Sequence, residues 1–279
     1  MMPRGASDTL LTGLPRSGTT LACVLLNEVP DTLALPEPMR LERHGDRARA
    51  VREIAAFMDA TRRSVLAEKI AACTHVGGAI VDNFADAPAP VPQLRGSRAA
   101  HGPIRIDKQL SPRFHLVVKH PGEFSALADL LAERFHLVAL VRHPLDVLAA
   151  WQTVDMPVQR GHLPMAEAFQ PDLAALLAAI PGRMERQVAL MGWLFDTYAR
   201  LPPGCVIRYE DMVADPGAAL APVVGGLQPS AHKLQSFHAA DRYPHVDLRP
   251  LARALLPIRH QAEHFYPGFE ASLQPWLAR

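Results

Sequence analysis

Thr12-Gly13-Leu14-Pro15-Arg16-Ser17-Gly18-Thr19-Thr20 is the stretch around which the chain is organised. An apolar run, Thr9-Leu10-Leu11, precedes it, and an apolar-periodic segment, Leu21-Ala22-Cys23-Val24-Leu25-Leu26, follows. The pattern predicts a strand, a glycine-bearing turn and a helix. Such a turn aims several backbone N–H groups at one spot, where the positive end of the helix dipole adds attraction for an anion. Gly13 and Gly18 let the backbone approach a phosphate without Cβ clashes. Thr19 and Thr20 are expected to cap the helix and to offer hydroxyl donors. Arg16 adds a forked cation suited to phosphate or sulfate.

The spacing Gly13-x4-Gly18 matches the first part of a nucleoside-triphosphate loop, but Thr19 stands where the loop lysine belongs. That lysine reaches the β- and γ-phosphates in kinases and NTPases, so its absence counts against them. Working outward, the chain has 279 residues, a net charge of +1, 49% hydrophobic and 20% charged residues. These values fit a soluble globular protein with a large core and give no case for a nucleic-acid surface. Cys23, Cys73 and Cys205 are odd in number, far apart and set among apolar residues, as free thiols in a reducing compartment would be. Met1-Met2-Pro3-Arg4-Gly5 shows no signal-peptide core, and no apolar run nears the roughly 20 residues needed to span a bilayer. A cytoplasmic protein without a membrane partner is expected.

Further strands are expected at His115–Val118, Phe135–Val141 and Cys205–Arg208. Helices are expected over 46–72, 123–134, 171–180 and 183–200, with Pro157 to Pro171 irregular. Val29 to Pro38 reads as a short extended or looped stretch set by Pro30, Pro36 and Pro38. Thr74 to Pro103, rich in Ala, Pro and Gly, reads as a long covering loop near the site. Alternating strands and helices predict an α/β fold, a parallel sheet flanked by helices. The expectation is a single domain over 1–279, mostly helical from about 216. In such sheets ligands bind beyond the carboxyl ends of the strands. Four strand ends carry Thr12 to Thr20, Lys119-His120, Arg142 and Arg208-Tyr209, so cations gather beside the anion-binding loop.

Pro15-Arg16-Ser17-Gly18-Thr19-Thr20 closely resembles the 5′-phosphosulfate-binding loop of sulfotransferases that use 3′-phosphoadenosine-5′-phosphosulfate. Leu140-Val141-Arg142-His143-Pro144 resembles their 3′-phosphate segment, with Ala150 at the position where the family has serine. Val206-Ile207-Arg208-Tyr209-Glu210-Asp211-Met212 resembles their Y-E-D-L segment. The three matches run in the family's order over residues 9 to 220; the R-K-G triplet of many cytosolic members is absent. The resemblance implies the P-loop-like sulfotransferase fold, nearer the tyrosylprotein-like and bacterial branch. It implies the phosphosulfate donor as cofactor, with adenosine 3′,5′-bisphosphate as product. Donor binding falls by likeness on Pro15, Arg16, Ser17, Gly18, Thr19, Thr20, Arg142 and Tyr209.

Sulfuryl transfer needs a base within hydrogen-bond reach of the acceptor. Glu37 stands where the tyrosylprotein-like branch has its catalytic glutamate and is the preferred candidate. His120 is the second, one register away from the histidine of the cytosolic K-T-H-L-P segment. Lys119 is expected to neutralise the bridging oxygen, and Arg16 to hold the 5′-phosphate and sulfuryl oxygens. Asp146 is expected to cap or orient its helix, and Glu210 to be structural. No metal is required. His260-Gln261-Ala262-Glu263-His264 fits an inverted zinc-protease pattern but reads as a solvated helix face. The leading reading is a sulfotransferase acting on a hydroxyl, or an amine, of a small organic acceptor. A P-loop phosphotransferase and a non-catalytic nucleotide-binding protein of the same fold are the alternatives.

Overall fold

In the computed structural model, residues 8–86, 93–224, 234–235 and 237–278 are described. The opening Met1 to Gly5 and Lys233 lie outside them. Among the described residues seven strands form two sheets: β1 (Asp8–Gly13), β2 (Thr32–Pro36), β3 (Ile70–His75), β4 (Ala100–Arg105), β5 (His115–Lys119), β6 (His136–Val141) and β7 (Val206–Arg208). The main sheet is fully parallel, in the order β2-β5-β1-β6-β7, and β3 pairs antiparallel with β4. The helices are α1 (Thr19–Glu28), α2 (Arg47–Glu68), α3 (Pro121–Ala126), α4 (Ala128–Ala132), α5 (Pro144–Trp151), α6 (Pro164–Phe169), α7 (Pro171–Ala179) and α8 (Arg183–Tyr198). After β7 come α9 (Tyr209–Ala214), α10 (Pro216–Leu220), α11 (Ala239–Arg242), α12 (Leu248–Leu255), α13 (Arg259–Glu263) and α14 (Phe269–Leu277). Among the described residues no helix is long and apolar enough to cross a membrane.

Burial alternates along each strand between two cores, as it must when a parallel sheet is covered on both faces. Leu10, Leu116, Val118, Leu137, Ala139 and Val141 pack with α2, α5, α8 and α12. Leu11, Val117, Val138 and Leu140 pack on the other face with α1 and α9. The chain leaves β1 for β2 and β5 on one side, then crosses to β6 and β7 on the other. That reversal beside β1 is where an open α/β sheet leaves a crevice at its carboxyl edge.

The expected α/β architecture stands, with corrections to its elements. Thr32–Pro36 is an edge strand: Pro36 is its last residue, opposite Lys119, and Pro30 and Pro38 lie outside it. The helix expected to reach 72 ends at Glu68, because Lys69 turns into the left-handed region (φ 59°) without a glycine to announce it. β3 and β4 replace the remainder of that helix and the end of the long loop. The helix expected over 123–134 starts at Pro121 and breaks at Leu127 into α3 and α4. The stretch expected to be irregular holds a 3-10 turn, Pro157–Arg160, and α6. Lys108 fixes the α1–β2 turn by donating to the carbonyls of Asn27 (2.7 Å), Val29 and Thr32 (2.8 Å).

Candidate active site

The loop between β1 and α1 is built to leave donors open. Gly18, not a threonine, caps α1; its φ of 92° favours glycine, which has no side chain to cap the helix. The first intrahelical bond runs from Ala22 N–H to Gly18 O, so the preceding N–H groups of the first turn stay available. A Cβ on Gly18 would lie 2.6 Å from Tyr209 Cδ2, and one on Gly13 would lie 2.4 Å from Leu140 O. Both glycines are therefore required by contact as well as by backbone angle.

Ser17 is committed to the loop itself. Its hydroxyl donates to Leu140 O at 3.1 Å and its N–H donates to Leu14 O at 3.0 Å. Trp151 Nε1 donates to Pro15 O at 2.8 Å from a fully buried indole. Thr12 Oγ1, Ser125 Oγ and Tyr198 Oη form a buried chain beneath the loop, with contacts of 2.8 and 2.7 Å. These bonds hold the loop rigid against the sheet. Arg16, in contrast, has a left-handed backbone (φ 75°), donates from Nη1 to Asn83 Oδ1 at 2.9 Å, and has a buried Nε with no partner. Burial pulls its pKa below the usual arginine range; Tyr243 opposes this, and the nearby charges of Arg95 and Arg142 add to it.

Register brings the next two candidates together. Pro36 lies opposite Lys119, so Glu37 emerges beside the lysine. Lys119 Nζ donates to Glu37 Oε1 at 2.6 Å; the lysine side chain is 2% exposed and the glutamate 39%. Glu37 also has a left-handed backbone (φ 47°), held by its N–H to Lys119 O (2.7 Å) and by Thr74 Oγ1 donating to its carbonyl (3.2 Å). Desolvation pushes its carboxyl up, but the charge and hydrogen bond of Lys119 leave it below the ordinary carboxylate value. His120 is buried with both ring nitrogens engaged. Met39 N–H donates to Nε2 at 3.1 Å, which leaves the ring proton on Nδ1, 3.3 Å from Glu123 Oε2.

At the neighbouring strand end, Arg142 Nη2 donates to Phe237 O at 2.6 Å. Its guanidinium lies 4.3 Å from the Tyr209 ring centroid, and its buried Nε has no hydrogen-bond partner. Asp146 Oδ2 is 3.8 Å from that Nε. Asp146 does not cap α5: its Oδ1 accepts from Ala239 N–H at 2.6 Å, latching the C-terminal segment, and burial raises its carboxyl pKa. Burial likewise raises the Tyr209 phenol. Glu210 is structural as expected, accepting from His143 N–H (2.9 Å) and Tyr266 Oη (3.0 Å). Arg208 pairs with Asp211 at 3.4 Å and lies over Tyr266, away from the cavities described next. Ala150 is fully buried. Glu263 caps α14 by accepting from Gly268 and Phe269 N–H groups, which gives the histidine-flanked motif a structural use.

Three cavities meet along this edge. One of about 360 Å³ is lined by Arg16, Gly18, Thr19, Thr20, Arg142 and Tyr209, closed by Phe237, Arg242 and Tyr243. A smaller one of about 150 Å³ shares Arg16, Thr19 and Thr20 with it and adds Glu37, Arg95 and Lys119. The third, about 480 Å³, shares Pro15 and Glu37 with the second and is lined by Met39, Leu41, Met156, Val158, Leu163 and Met165, among others. Arg95, Asn83 and Tyr243 carry no signal in the local sequence. They lie in segments without strong periodicity, and only long-range pairing brings them here.

The sulfotransferase family model matches residues 9–228, and the chain belongs to that family: it is a sulfotransferase. Among solved structures it is similar to a sulfotransferase domain from the curacin biosynthetic pathway, at 14% identity over 99% of each chain and a TM-score of 0.41. It is also similar to sulfotransferase STF1 of Mycobacterium tuberculosis H37Rv, at 13% identity over 90% of this chain and 76% of that one, with a TM-score of 0.36. No curated protein sequence matches the chain. The family assignment rests on the 9–228 match.

Proposed function

We propose that the enzyme transfers a sulfuryl group from 3′-phosphoadenosine-5′-phosphosulfate to a hydroxyl of a small organic acceptor, with Glu37 as general base. The observation that carries this reading is the position of Glu37. It borders both the small cavity beside the Arg16 loop and the 480 Å³ cavity beyond it. A carboxylate at that junction reaches an acceptor hydroxyl from one side while donor-binding groups lie on the other.

The residues fit the donor. Open N–H groups at the start of α1 and the orphaned Nε of Arg16 suit its 5′ end, and the orphaned Nε of Arg142 suits the 3′-phosphate. When bound, the donor supplies the activated sulfuryl group. Lys119 stabilises negative charge developing beside the loop and holds Glu37 ionised at neutral pH. His120, its nitrogens occupied by Met39 and Glu123, is less available than Glu37 to take the acceptor proton. The larger cavity mixes apolar side chains with Arg40, Arg43, His101 and Glu123, and its volume lies within the range of pockets for a small organic acceptor. Free cysteines at 23, 73 and 205 suit a reducing compartment, which supports a cytoplasmic setting.

The test is Glu37→Gln, assayed for bisphosphate affinity and for sulfuryl transfer to hydroxyl acceptors. The reading expects unchanged affinity and a loss of turnover of about 10²-fold or more. Lost affinity would make Glu37 a support of the loop, and retained turnover would remove it as base.

A further inference from the structure

Arg95 lies in the segment that covers the loop. Its backbone is stitched to the chain after α5: Arg95 N–H donates to Thr153 O and Asp155 N–H donates to Arg95 O, both at 2.9 Å. Its side chain, 5% exposed, donates from Nε to Thr153 O (3.3 Å) and from Nη2 to Thr153 Oγ1 (2.7 Å). The guanidinium stands 5.6 Å from the Tyr243 ring centroid. It borders the small cavity together with Arg16, Thr19, Thr20 and Lys119.

The charges around the small cavity do not balance. Lys119 has Glu37, and Arg142 has Asp146. Among the described residues no carboxylate pairs with Arg16 or Arg95. A buried guanidinium (Arg95) beside a half-buried one whose Nε is buried (Arg16), neither with a counter-charge, is costly, and bringing them into one site is worthwhile only when an anion joins them. A phosphosulfate carries one negative charge on each of its two groups, which matches that surplus.

We propose that Arg95 is a donor-binding residue that, with Arg16, holds the phosphosulfate end of the donor. This rests on the donor reading above and adds a cation that the covering segment delivers. Thr153 is its positioning residue, spending two of the five guanidinium N–H groups and leaving the others for anion oxygens.

The experiment is calorimetric titration of the full chain, wild type, Arg95→Gln and Arg95→Lys, with three probes. These are adenosine 3′,5′-bisphosphate, adenosine 5′-monophosphate and adenosine 3′-monophosphate. Arg95→Gln is expected to weaken the two 5′-phosphorylated probes about tenfold or more and to leave the 3′-monophosphate within about twofold. Its melting temperature without ligand is expected to equal or exceed that of wild type, since an uncompensated buried charge is removed. Arg95→Lys keeps the charge and is expected within about fivefold of wild type, which decides the matter if the glutamine variant does not fold. Equal loss for all three probes, or a lower unliganded melting temperature with 5′ affinity unchanged, would make Arg95 only an anchor of the covering segment. Wild type binding none of the probes would instead overturn the donor reading itself.

Discussion

Lys119 and Glu37 are joined by a 2.6 Å hydrogen bond that the parallel pairing of β2 with β5 makes unavoidable. One partner is buried and the other half-exposed, so the bond aims the carboxylate out of the sheet edge toward the cavities. The left-handed backbone at Glu37 is the conformational cost of that aim, of order 1–3 kcal/mol for a non-glycine residue. Such strain persists where the surroundings over-determine it, and here Lys119 O and Thr74 do so.

This pair sets the pH dependence. Burial alone would raise the Glu37 carboxyl; Lys119 brings it below its ordinary value of 4.5. The stability the pair adds is present above the unfolded carboxylate pKa and is lost as pH falls through the folded one. Turnover should fall along the same acid limb. In Lys119→Met the desolvation remains without its counterweight, so the limb should move upward by about a unit or more. A pH–rate profile checks this, and an unmoved limb would mean that another group titrates.

Gly18→Ala should damage stability and donor binding together. The added Cβ meets the Tyr209 ring at 2.6 Å in a backbone region that L-residues avoid. A loss of about 1–3 kcal/mol in denaturant unfolding is expected. Bisphosphate affinity should fall as well, because Tyr209 would be pushed toward Arg142.

Much of the site was legible in the sequence because strands and glycines announce themselves locally. The loop, Lys119, Arg142 and Tyr209 all follow apolar runs, and the strand ends converge as parallel topology requires. Glu37 stands out by likeness, while the strand that precedes it is obscured in the sequence by Pro30, Pro36 and Pro38. The likeness puts Ser17 among the donor-binding residues, whereas its hydroxyl and N–H close the loop, which only the tertiary approach of Leu140 reveals. Arg95 was invisible because its role comes from pairing with Thr153 and Val154, remote in sequence and unmarked by periodicity.

Trp151→Phe should loosen the loop without touching any cavity-lining side chain. It leaves Pro15 O without its buried donor, a cost of about 1–3 kcal/mol. Urea unfolding measures the loss, and bisphosphate affinity should weaken by a similar free energy if loop rigidity matters. A stability loss with full affinity would separate loop order from binding.

Asp146→Asn should strengthen bisphosphate binding. The amide oxygen keeps the Ala239 latch, while the negative charge 3.8 Å from Arg142 Nε disappears. Calorimetry should show tighter binding by about three- to tenfold. Weaker binding would mean that Asp146 orients Arg142 more than it opposes the 3′-phosphate.

The central claim is that these cavities accept an adenosine bisphosphate rather than a nucleoside polyphosphate with magnesium. Thermal unfolding of the wild-type chain with adenosine 3′,5′-bisphosphate, set against ADP plus Mg²⁺, measures this directly. The account predicts an upward shift in melting temperature with the bisphosphate alone; a shift with ADP–Mg²⁺ alone, or with neither ligand, would contradict it.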